Sequence, residues 1–366
     1  MNISSSIDPV EELANIKQNI KDVFNLSYLE QDKKFYPTDN PLISIIISVY
    51  NGEGFLNRAL VSIQNQDLKD IEIIMIDDCS TDNSVNLIKD LMTKEPRLKL
   101  YQNKENRGAL YTKTKGILLS KGKYILLLDE DDIYVQKNAF SSLYKIAEIN
   151  NLDILTFISL STTPRMNNIN YNKINNTIPI IFQPELRNLV FNQTPDGEIK
   201  ISGGGMLHNY FIKRDLYMKV IKQIDEKYFK IKMVWHDDIL LLFLLTRNAY
   251  NYLYYDRIFH IHFTEWNVND KKIKFRNEEK IKEGNYKRCN SLLNFIEFVL
   301  DKTENNIKDK KIAFFSYDKW FLSYWCRDFK ETYEQAIRIS KQYLENKYIQ
   351  EEDKNKIKAL DRKSVV

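Results

Sequence analysis

The segment KYILLLDEDDIY, residues 123–134, joins an apolar run directly to a cluster of acids. The acids are Asp129, Glu130, Asp131 and Asp132. A continuous apolar run of this length is typical of a strand buried on both faces in the middle of a parallel sheet. Four adjacent carboxylates at the rim of a core repel one another unless a positive group, commonly a hard divalent cation, compensates them. The segment predicts a central strand that ends at a ligand site. The same four acids could equally form a solvated turn that binds no ligand.

Strand and helix patterns alternate around this segment. Apolar runs at 42–49, 71–76 and 98–101 predict three more strands, and helical periodicity follows each of them. Such alternation predicts an α/β fold with a mostly parallel sheet flanked by helices. Ligands bind such sheets outside the carboxyl ends of the strands. Polar residues follow each predicted strand there: Tyr50, Asn51 and Gly52; Asp77 and Asp78; residues 103–106; and the acidic cluster.

The pattern weakens beyond Leu152. Residues 153–158 and 258–263 read as strands, and His260 and His262 would point to the same face of the second one. That spacing suits a metal ligand or a phosphate contact, and it suits a plain structural role equally well. Residues 234–245 predict a buried helix that begins near two acids, Asp237 and Asp238.

Three regions can be separated along the chain. Residues 1–40 carry helical periodicity interrupted by prolines and predict an N-terminal helical arm. Residues 41–270 form the predicted α/β domain. Residues 271–366 are charged and aromatic-rich and predict a C-terminal helical region.

The charge and composition of the chain limit the classes of molecule that it is expected to bind. The chain of 366 residues has a net charge of +4, and residues 271–366 hold 23 basic and 16 acidic residues. Because the part with the acidic cluster is slightly acidic itself, we expect no nucleic-acid partner. The basic C-terminal region is either a solvated helical face or a peripheral contact with anionic lipid or a protein.

Cysteine usage and hydropathy predict a cytoplasmic protein. The three cysteines have no paired spacing, which fits a reducing compartment. No signal peptide is visible, and the longest apolar run, 239–245, is too short to span a bilayer. A P-loop is not present, and the Gly52–Gly54 motif lacks the third glycine of a dinucleotide fingerprint because Asn57 stands there.

The acidic segment at 126–132 and two earlier stretches together resemble a known protein family. SIIISVYNGEGFLNRALVSIQNQDLKDIEIIMIDDCSTDNS (44–84), ENRGALYTKTKGI (105–117) and LLLDEDD (126–132) closely resemble the family 2 glycosyltransferases of the GT-A fold. The similarity is strong over residues 42–135 and weaker to about residue 265. It implies a nucleotide-binding half at 41–135, an acceptor half at 136–270, and a metal-dependent, inverting transfer from a nucleotide-sugar, most often a UDP-sugar.

The resemblance implies a nucleotide site beside the first two strands. Ser48, Tyr50 and Asp78 would contact the nucleotide, with Tyr50 near the base and Asp78 accepting a hydrogen bond from it. The neighbouring Asn51 and Glu53 are expected in the same site.

The resemblance also implies a metal site. Asp129 and Asp131 resemble the DxD pair, with Asp131 as the expected direct ligand of Mn²⁺ or Mg²⁺, for which carboxylates are suitable ligands. His260 and His262 are further metal candidates. Glu130, Asp132 and Lys113 are expected near the donor. Lys113 stands where relatives often have Arg, so it can meet a phosphate as a point charge but not bidentately.

Transfer to a hydroxyl also needs a general base. An acidic pair of the family, which lies well after the DxD motif, resembles Asp237 and Asp238. Asp238 is the expected base and Asp237 the alternative. Alternatively, these two residues have only a structural role as a helix N-cap.

The sequence therefore predicts a metal-dependent, inverting glycosyltransferase that moves a hexose or N-acetylhexosamine from a UDP-sugar to a hydroxyl of a glycan, glycolipid or protein. Two alternatives remain open. A sugar-phosphate nucleotidyltransferase would need a more basic loop than NGEGFLNR, residues 51–58. A non-catalytic nucleotide- or glycan-binding module would not need the intact set of acids.

Overall fold

The computed structural model describes residues 9–24, 35–162, 180–183, 186, 191–193, 199–201, 206–233, 237–263, 290–291, 293–299 and 301–302. The helices are α1 (Pro9–Phe24), α2 (Leu56–Gln64), α3 (Ser84–Lys94), α4 (Ala109–Leu119), α5 (Ala139–Ile149), α6 (Arg214–Ile221), α7 (Glu226–Lys230) and α8 (Asp237–Asn248). The strands are β1 (Ile43–Val49), β2 (Ile71–Asp77), β3 (Leu98–Gln102), β4 (Tyr124–Asp129), β5 (Ile133–Tyr134), β6 (Ile154–Thr162), β7 (Ile181–Phe182), β8 (Phe191–Gln193), β9 (Ile199–Ile201), β10 (Tyr210–Lys213) and β11 (Asn251–Phe263).

One large sheet organises the molecule. Its strand order is β3-β2-β1-β4-β10-β6-β11-β5, with β7 paired to β11. Strands β1 to β4 are parallel, as predicted, and their bounds agree with the apolar runs to within one residue. Beyond β4 the sheet is mixed, because β10 runs antiparallel to both of its neighbours while β6 and β11 are parallel. The predicted α/β fold with a mostly parallel sheet flanked by helices is confirmed.

Both faces of the sheet are covered, which explains the continuous apolar strands. In β1, Ile45 and Ile47 pack into the layer that contains α2 and α5, while Ile46 packs into the layer that contains α4 and α8. Helix α4 lies very close to the sheet, since a Cβ added at Gly116 would be 2.4 Å from Ile46 Cγ2. The position of α4 is therefore fixed by direct helix–strand packing.

The predicted terminal regions also contact this core. Ile16, Ile20 and Val23 of α1 are buried against α2 and the β5–β11 edge of the sheet. Residues 293–299 are helical and bury apolar side chains in the same cluster as α8. Residues 271–289, 292, 300 and 303–366 of the C-terminal region, residues 202–205 and residues 234–236 lie outside the described residues. Within the described part of the chain, no helix combines the length and apolar composition needed to cross a bilayer.

The first turn of α4 depends on a glycine. Gly108 has φ +83°, and a Cβ there would lie 2.6 Å from the carbonyl oxygen of Met233. Ala109 N donates to that same oxygen at 3.1 Å, so the segment before α8 lies against the start of α4. An L-residue with a side chain is strained at this φ and would also displace Met233.

We expect Gly108→Ala to lower the free energy of unfolding by about 1–3 kcal/mol, because both the backbone strain and the clash must be accommodated. The matched control is Gly54→Ala, where an added Cβ would meet no atom within 4 Å. This control should change stability by less than about 0.5 kcal/mol. Urea denaturation of both variants measures the difference, and equal midpoints would contradict the prediction.

Candidate active site

The carboxyl ends of the parallel strands form one polar rim, as predicted. In the register of β1, Ser48 lies beside Asp129 of β4 and Val49 beside Asp77 of β2. Tyr50 follows directly and is 47% exposed. The rim therefore begins with an exposed aromatic ring next to the end of the acidic strand.

Asn51 and Glu53 hold the turn after β1 against the loop after β2. Asn51 has φ +57°, its Oδ1 accepts from Thr81 N at 2.8 Å, and its own N donates to Ser80 Oγ at 3.0 Å. Glu53 Oε2 accepts from Asn83 N at 3.3 Å. These bonds fix the loop geometry around Tyr50.

Asp78 is buried at the start of α4. Its Oδ1 accepts from Asn103 Nδ2 and from Arg107 N, both at 2.8 Å, and its Oδ2 accepts from Gly108 N at 2.8 Å. A carboxylate at a helix N-terminus also interacts favourably with the helix dipole. Asp78 thereby joins the ends of β2 and β3 to α4.

The acidic turn differs in exposure from residue to residue. Asp129, Glu130 and Asp131 are partly exposed, while Asp132 is fully buried. Burial, with a smaller contribution from Asp129, raises the pKa of Glu130 to about 8. Burial lowers the pKa of the Arg58 guanidinium of α2, and the nearby charge of Asp131 acts in the opposite direction. The turn therefore concentrates acidic side chains at the end of β4.

Three imidazoles surround Asp132. His262 Nδ1 lies 3.1 and 3.2 Å from its two carboxylate oxygens, and His260 Nε2 lies 3.4 Å from Oδ2. His208 Nδ1 is 4.0 Å from Oδ2. Burial raises the pKa of Asp132 to about 7, and the hydrogen bond with Asp132 raises the pKa of His262. His260 and His262 face the same acid, as the strand alternation predicts.

The donor set suits a divalent cation. Partly exposed carboxylates of the turn, the nearby imidazole of His262 and an excess of acids are the chemistry that binds Mn²⁺ or Mg²⁺. Asp132, His208 and His260 also bring ligand atoms within 4.8 Å of one another. However, the rings of His208 and His260 are stacked 4.4 Å apart at 14°. Their in-plane lone pairs run side by side, so one ring must turn before both could bind one ion.

Lys113 connects the acidic turn to the predicted acidic pair. Its Nζ is 2.6 Å from Asp238 Oδ1, 2.9 Å from Asp237 Oδ2 and 3.9 Å from Asp129 Oδ1. The other oxygen of Asp238 accepts from Leu207 N at 3.0 Å. Asp237 and Asp238 lie in the first turn of α8. Their carboxylates bond to residues of other elements, so they do more than cap their own helix.

The electrostatics distinguish the two acids. Burial raises the pKa of Asp237 to about 6, with Lys113 acting in the opposite direction. Burial acts on Asp238 in the same sense, but the ammonium group and hydrogen bond of Lys113 hold its pKa below the usual value. Asp238 is thus the acid that stays ionised.

The sequence did not reveal these partnerships. Lys113 and Asp238 are 125 residues apart, and no local pattern indicates their contact. The structure adds Leu207 to the site through its backbone amide. It places His208, which follows the glycine-rich residues 202–205 and is a sequence candidate for an acceptor or diphosphate contact, against His262 through ring stacking.

Comparison with solved structures identifies the fold. The crystal structure of S. aureus TarS 1-349 in complex with UDP-GlcNAc aligns with a TM-score of 0.55 over 85% of this chain and 82% of that chain, at 16% sequence identity. The protein has the GT-A glycosyltransferase fold. Residues 44–205 match the model of glycosyl transferase family 2. The chain carries a family 2 glycosyltransferase domain, as the sequence resemblance indicates.

Curated relatives agree with this family but match over a limited length. An uncharacterized glycosyltransferase of Haemophilus influenzae is 44% identical over 92 residues, which are 25% of this chain and 37% of that protein. The GalNAc(5)-diNAcBac-PP-undecaprenol beta-1,3-glucosyltransferase of Campylobacter jejuni is 36% identical over 93 residues, 25% of this chain and 30% of that protein. The matches thus span about a third of the length of these relatives.

The raised pKa of Glu130 has a consequence for stability. A carboxyl group with a folded-state pKa of about 8 destabilises the fold above its unfolded pKa, and the penalty grows until the pH passes about 8. We expect Glu130→Gln to match the native chain near pH 4 and to be about 1–2 kcal/mol more stable at pH 8 in EDTA.

Urea denaturation between pH 4 and pH 8.5 measures this difference. The control is Glu226→Gln, because the Glu226 side chain is 81% exposed. The control should follow the native curve at every pH. A Glu130→Gln curve parallel to the native one would show that the turn does not carry the inferred charge penalty.

Proposed function

We propose that this domain transfers a hexose or N-acetylhexosamine from a UDP-sugar to an acceptor hydroxyl, with a divalent cation and with inversion at the anomeric carbon. The observation that carries the proposal is the link through Lys113, which brings Asp129 of the acidic turn and Asp238 of α8 to one site. Crystal structures of the similar TarS in complex with UDP and with UDP-GlcNAc support a UDP-sugar as the donor.

The nucleotide end of the site is assigned to the rim of β1 and β2. Tyr50 is exposed and can stack on the base, beside Ser48 in the register of β1. Asn51 and Glu53 hold that turn in place. A carboxylate has about four lone-pair positions. Three bonds to Asp78 are made within the chain, which leaves capacity to accept one N–H from the base.

The cation is assigned to Asp131 and Asp129, with His262 and His260 as the nitrogen candidates. When bound, it would stabilise the negative charge that develops on the leaving diphosphate. Glu130 and Asp132 complete the acidic turn. His262 is better placed than His260, because its side chain is 25% exposed whereas that of His260 is fully buried.

Asp238 is assigned as the general base, with Asp237 as its alternative. An ionised carboxylate can accept the proton of the attacking hydroxyl. Lys113 and the Leu207 amide each hold one oxygen of Asp238, so the carboxylate has a fixed orientation. In this arrangement Lys113 balances the charge of the acids, in addition to any contact with the donor phosphates.

The acceptor is proposed to be a glycan, glycolipid or protein hydroxyl in the cytoplasm. The name of the Campylobacter relative describes an undecaprenol-linked acceptor, which supports the lipid-linked class. The basic residues of 271–366 would suit the anionic membrane surface that carries such acceptors.

The test of this proposal is nucleotide release from a panel of UDP-, GDP- and dTDP-sugars with Mn²⁺ and candidate acceptors. We expect UDP release, and we expect Asp131→Ala to abolish both sugar transfer and Mn²⁺-dependent UDP binding. The control Asp90→Ala removes an exposed acid of α3 and should retain both.

Other results would assign another function. Pyrophosphate release from a nucleoside triphosphate and a sugar phosphate would identify a nucleotidyltransferase. UDP binding without turnover of any donor would identify a binding module. Unchanged transfer by folded Asp131→Ala would refute the assigned cation site.

A second prediction concerns Lys113. We expect Lys113→Met to lower kcat at least about 10-fold, because Asp237 and Asp238 lose their buried counter-charge and Asp238 loses the bond that orients it. The lost counter-charge should also lower the free energy of unfolding by about 3–5 kcal/mol. Lys121→Met, which removes an exposed lysine just beyond α4, should leave both quantities unchanged. A folded Lys113→Met enzyme with native kcat would contradict the positioning role.

A further inference from the structure

Among residues 129–132, Asp132 is the acid that is fully buried. Its position follows from the pairing of β5 with β11, in which Tyr134 lies opposite His260 and Ile133 opposite Ile261. Continuing that antiparallel register places Asp132 beside His262. The Asp132 Oδ1 atom also accepts from Phe263 N at 3.1 Å. The acid is therefore held from the backbone as well as through its side chain.

The bond between Asp132 and His262 determines the tautomer of the imidazole. When it is ionised, the Asp132 carboxylate can only accept hydrogen bonds, and the contact at 3.1–3.2 Å then requires the proton on His262 Nδ1. In the neutral ring, Nε2 then carries the lone pair. Histidines that bind metals commonly donate their other N–H to a carboxylate in this way, which fixes the ring and raises its strength as a ligand.

Direct metal ligation by Asp132 fits the structure less well. Both of its oxygens already lie within 3.2 Å of His262 Nδ1. The alternative ligand group with His208 and His260 contains two stacked, nearly parallel rings. His262, by contrast, is partly exposed and feels the charges of Asp129 and Asp131. His262 therefore contacts the buried acid while its side chain stays 25% exposed.

We propose that Asp132 is a positioning residue, which holds His262 in the Nδ1–H tautomer so that Nε2 binds the divalent cation together with Asp131. This inference rests on the proposed function, because it concerns the cation assigned there. Asp132, the fourth acid of the turn, would then affect the cation through His262 and would not contact the cation directly.

A double-mutant cycle on the full chain tests the proposal, with Mn²⁺ affinity measured by electron paramagnetic resonance. The amide that Asp132→Asn introduces can offer a donor to Nδ1 and thereby favour the Nε2–H tautomer, which cannot ligate through Nε2. We expect Asp132→Asn and His262→Ala each to weaken Mn²⁺ binding about 10–100-fold. The double variant should bind no more than about 3-fold more weakly than His262→Ala alone, because Asp132 acts through His262.

Two results of the cycle would overturn the proposal. One is an unchanged Mn²⁺ affinity in Asp132→Asn. The other is an Asp132→Asn substitution that lowers Mn²⁺ affinity by the same factor in the native chain and in the His262→Ala variant. That result would show that Asp132 acts on the cation independently of His262.

The matched control is Ser159→Ala, which removes the 2.8 Å bond to His260 Nδ1 in the same layer and leaves His262 in place. It should retain Mn²⁺ affinity within about 3-fold. A loss in Ser159→Ala without a loss in Asp132→Asn would assign the nitrogen ligand to His260 and refute the proposal.

A second measurement needs no folded variant. Long-range ¹H–¹⁵N NMR spectra of the metal-free native chain, recorded at a pH above the raised pKa of His262 so that the ring is neutral, report the tautomer of each histidine, and His262 should show the Nδ1–H form. The Nε2–H form would refute the proposal. The proposed function is judged separately by Asp131→Ala. If that variant loses Mn²⁺ binding and His262→Ala does not, the cation site stands and only the role of Asp132 fails.

Discussion

One buried ammonium group, Lys113 Nζ, holds the two acidic ends of the site together. It lies on α4, and its carboxylate partners come from β4 and from the first turn of α8. A buried ion pair of this kind adds little net stability, because desolvation offsets most of the attraction, but removing one partner is costly. The pairing therefore acts chiefly as a geometric constraint. It requires α4 and α8 to stay on the same side of the sheet, within one side-chain length of the acidic turn.

The same lysine cannot neutralise everything around it. The turn and the α8 pair contribute six carboxyl groups, and burial, together with the charges of neighbouring acids, raises the pKa values of Glu130, Asp132 and Asp237. A protein can relieve such crowding by protonation or by binding a cation. The partly exposed acids of the turn can be reached by a cation from solvent. This accessibility is the physical basis for proposing a cation at the turn, whereas the deeper pair has the lysine.

Local patterns in the sequence were sufficient for the first half of the fold. The strands β1 to β4 are continuous apolar runs, and their parallel order brings Tyr50, Asp78 and Asp129 to one rim without further information. The contacts that define the chemistry were not accessible in this way. Lys113 with Asp238, and Asp132 with His262, are joined across more than 120 residues by helix packing and strand register. The insertion of antiparallel β10 between β4 and β6, which seats His208 in the site, also has no local signal.

The support of the site extends beyond the residues that match the family. Phe24, the last residue of α1, packs edge-on against Phe263 with 5.7 Å between the ring centroids. The Arg58 guanidinium lies over the Phe24 ring, 4.9 Å from its centroid. The backbone amide of Phe263 donates to Asp132, and Arg58 lies in the field of Asp131. Helix α1 therefore packs behind two acids of the turn, although the family match begins at residue 44. Side chains in a close-packed core transmit displacements to their neighbours. A shift of the N-terminal helix α1 would therefore be transmitted to the acidic turn, although α1 lies outside the family match.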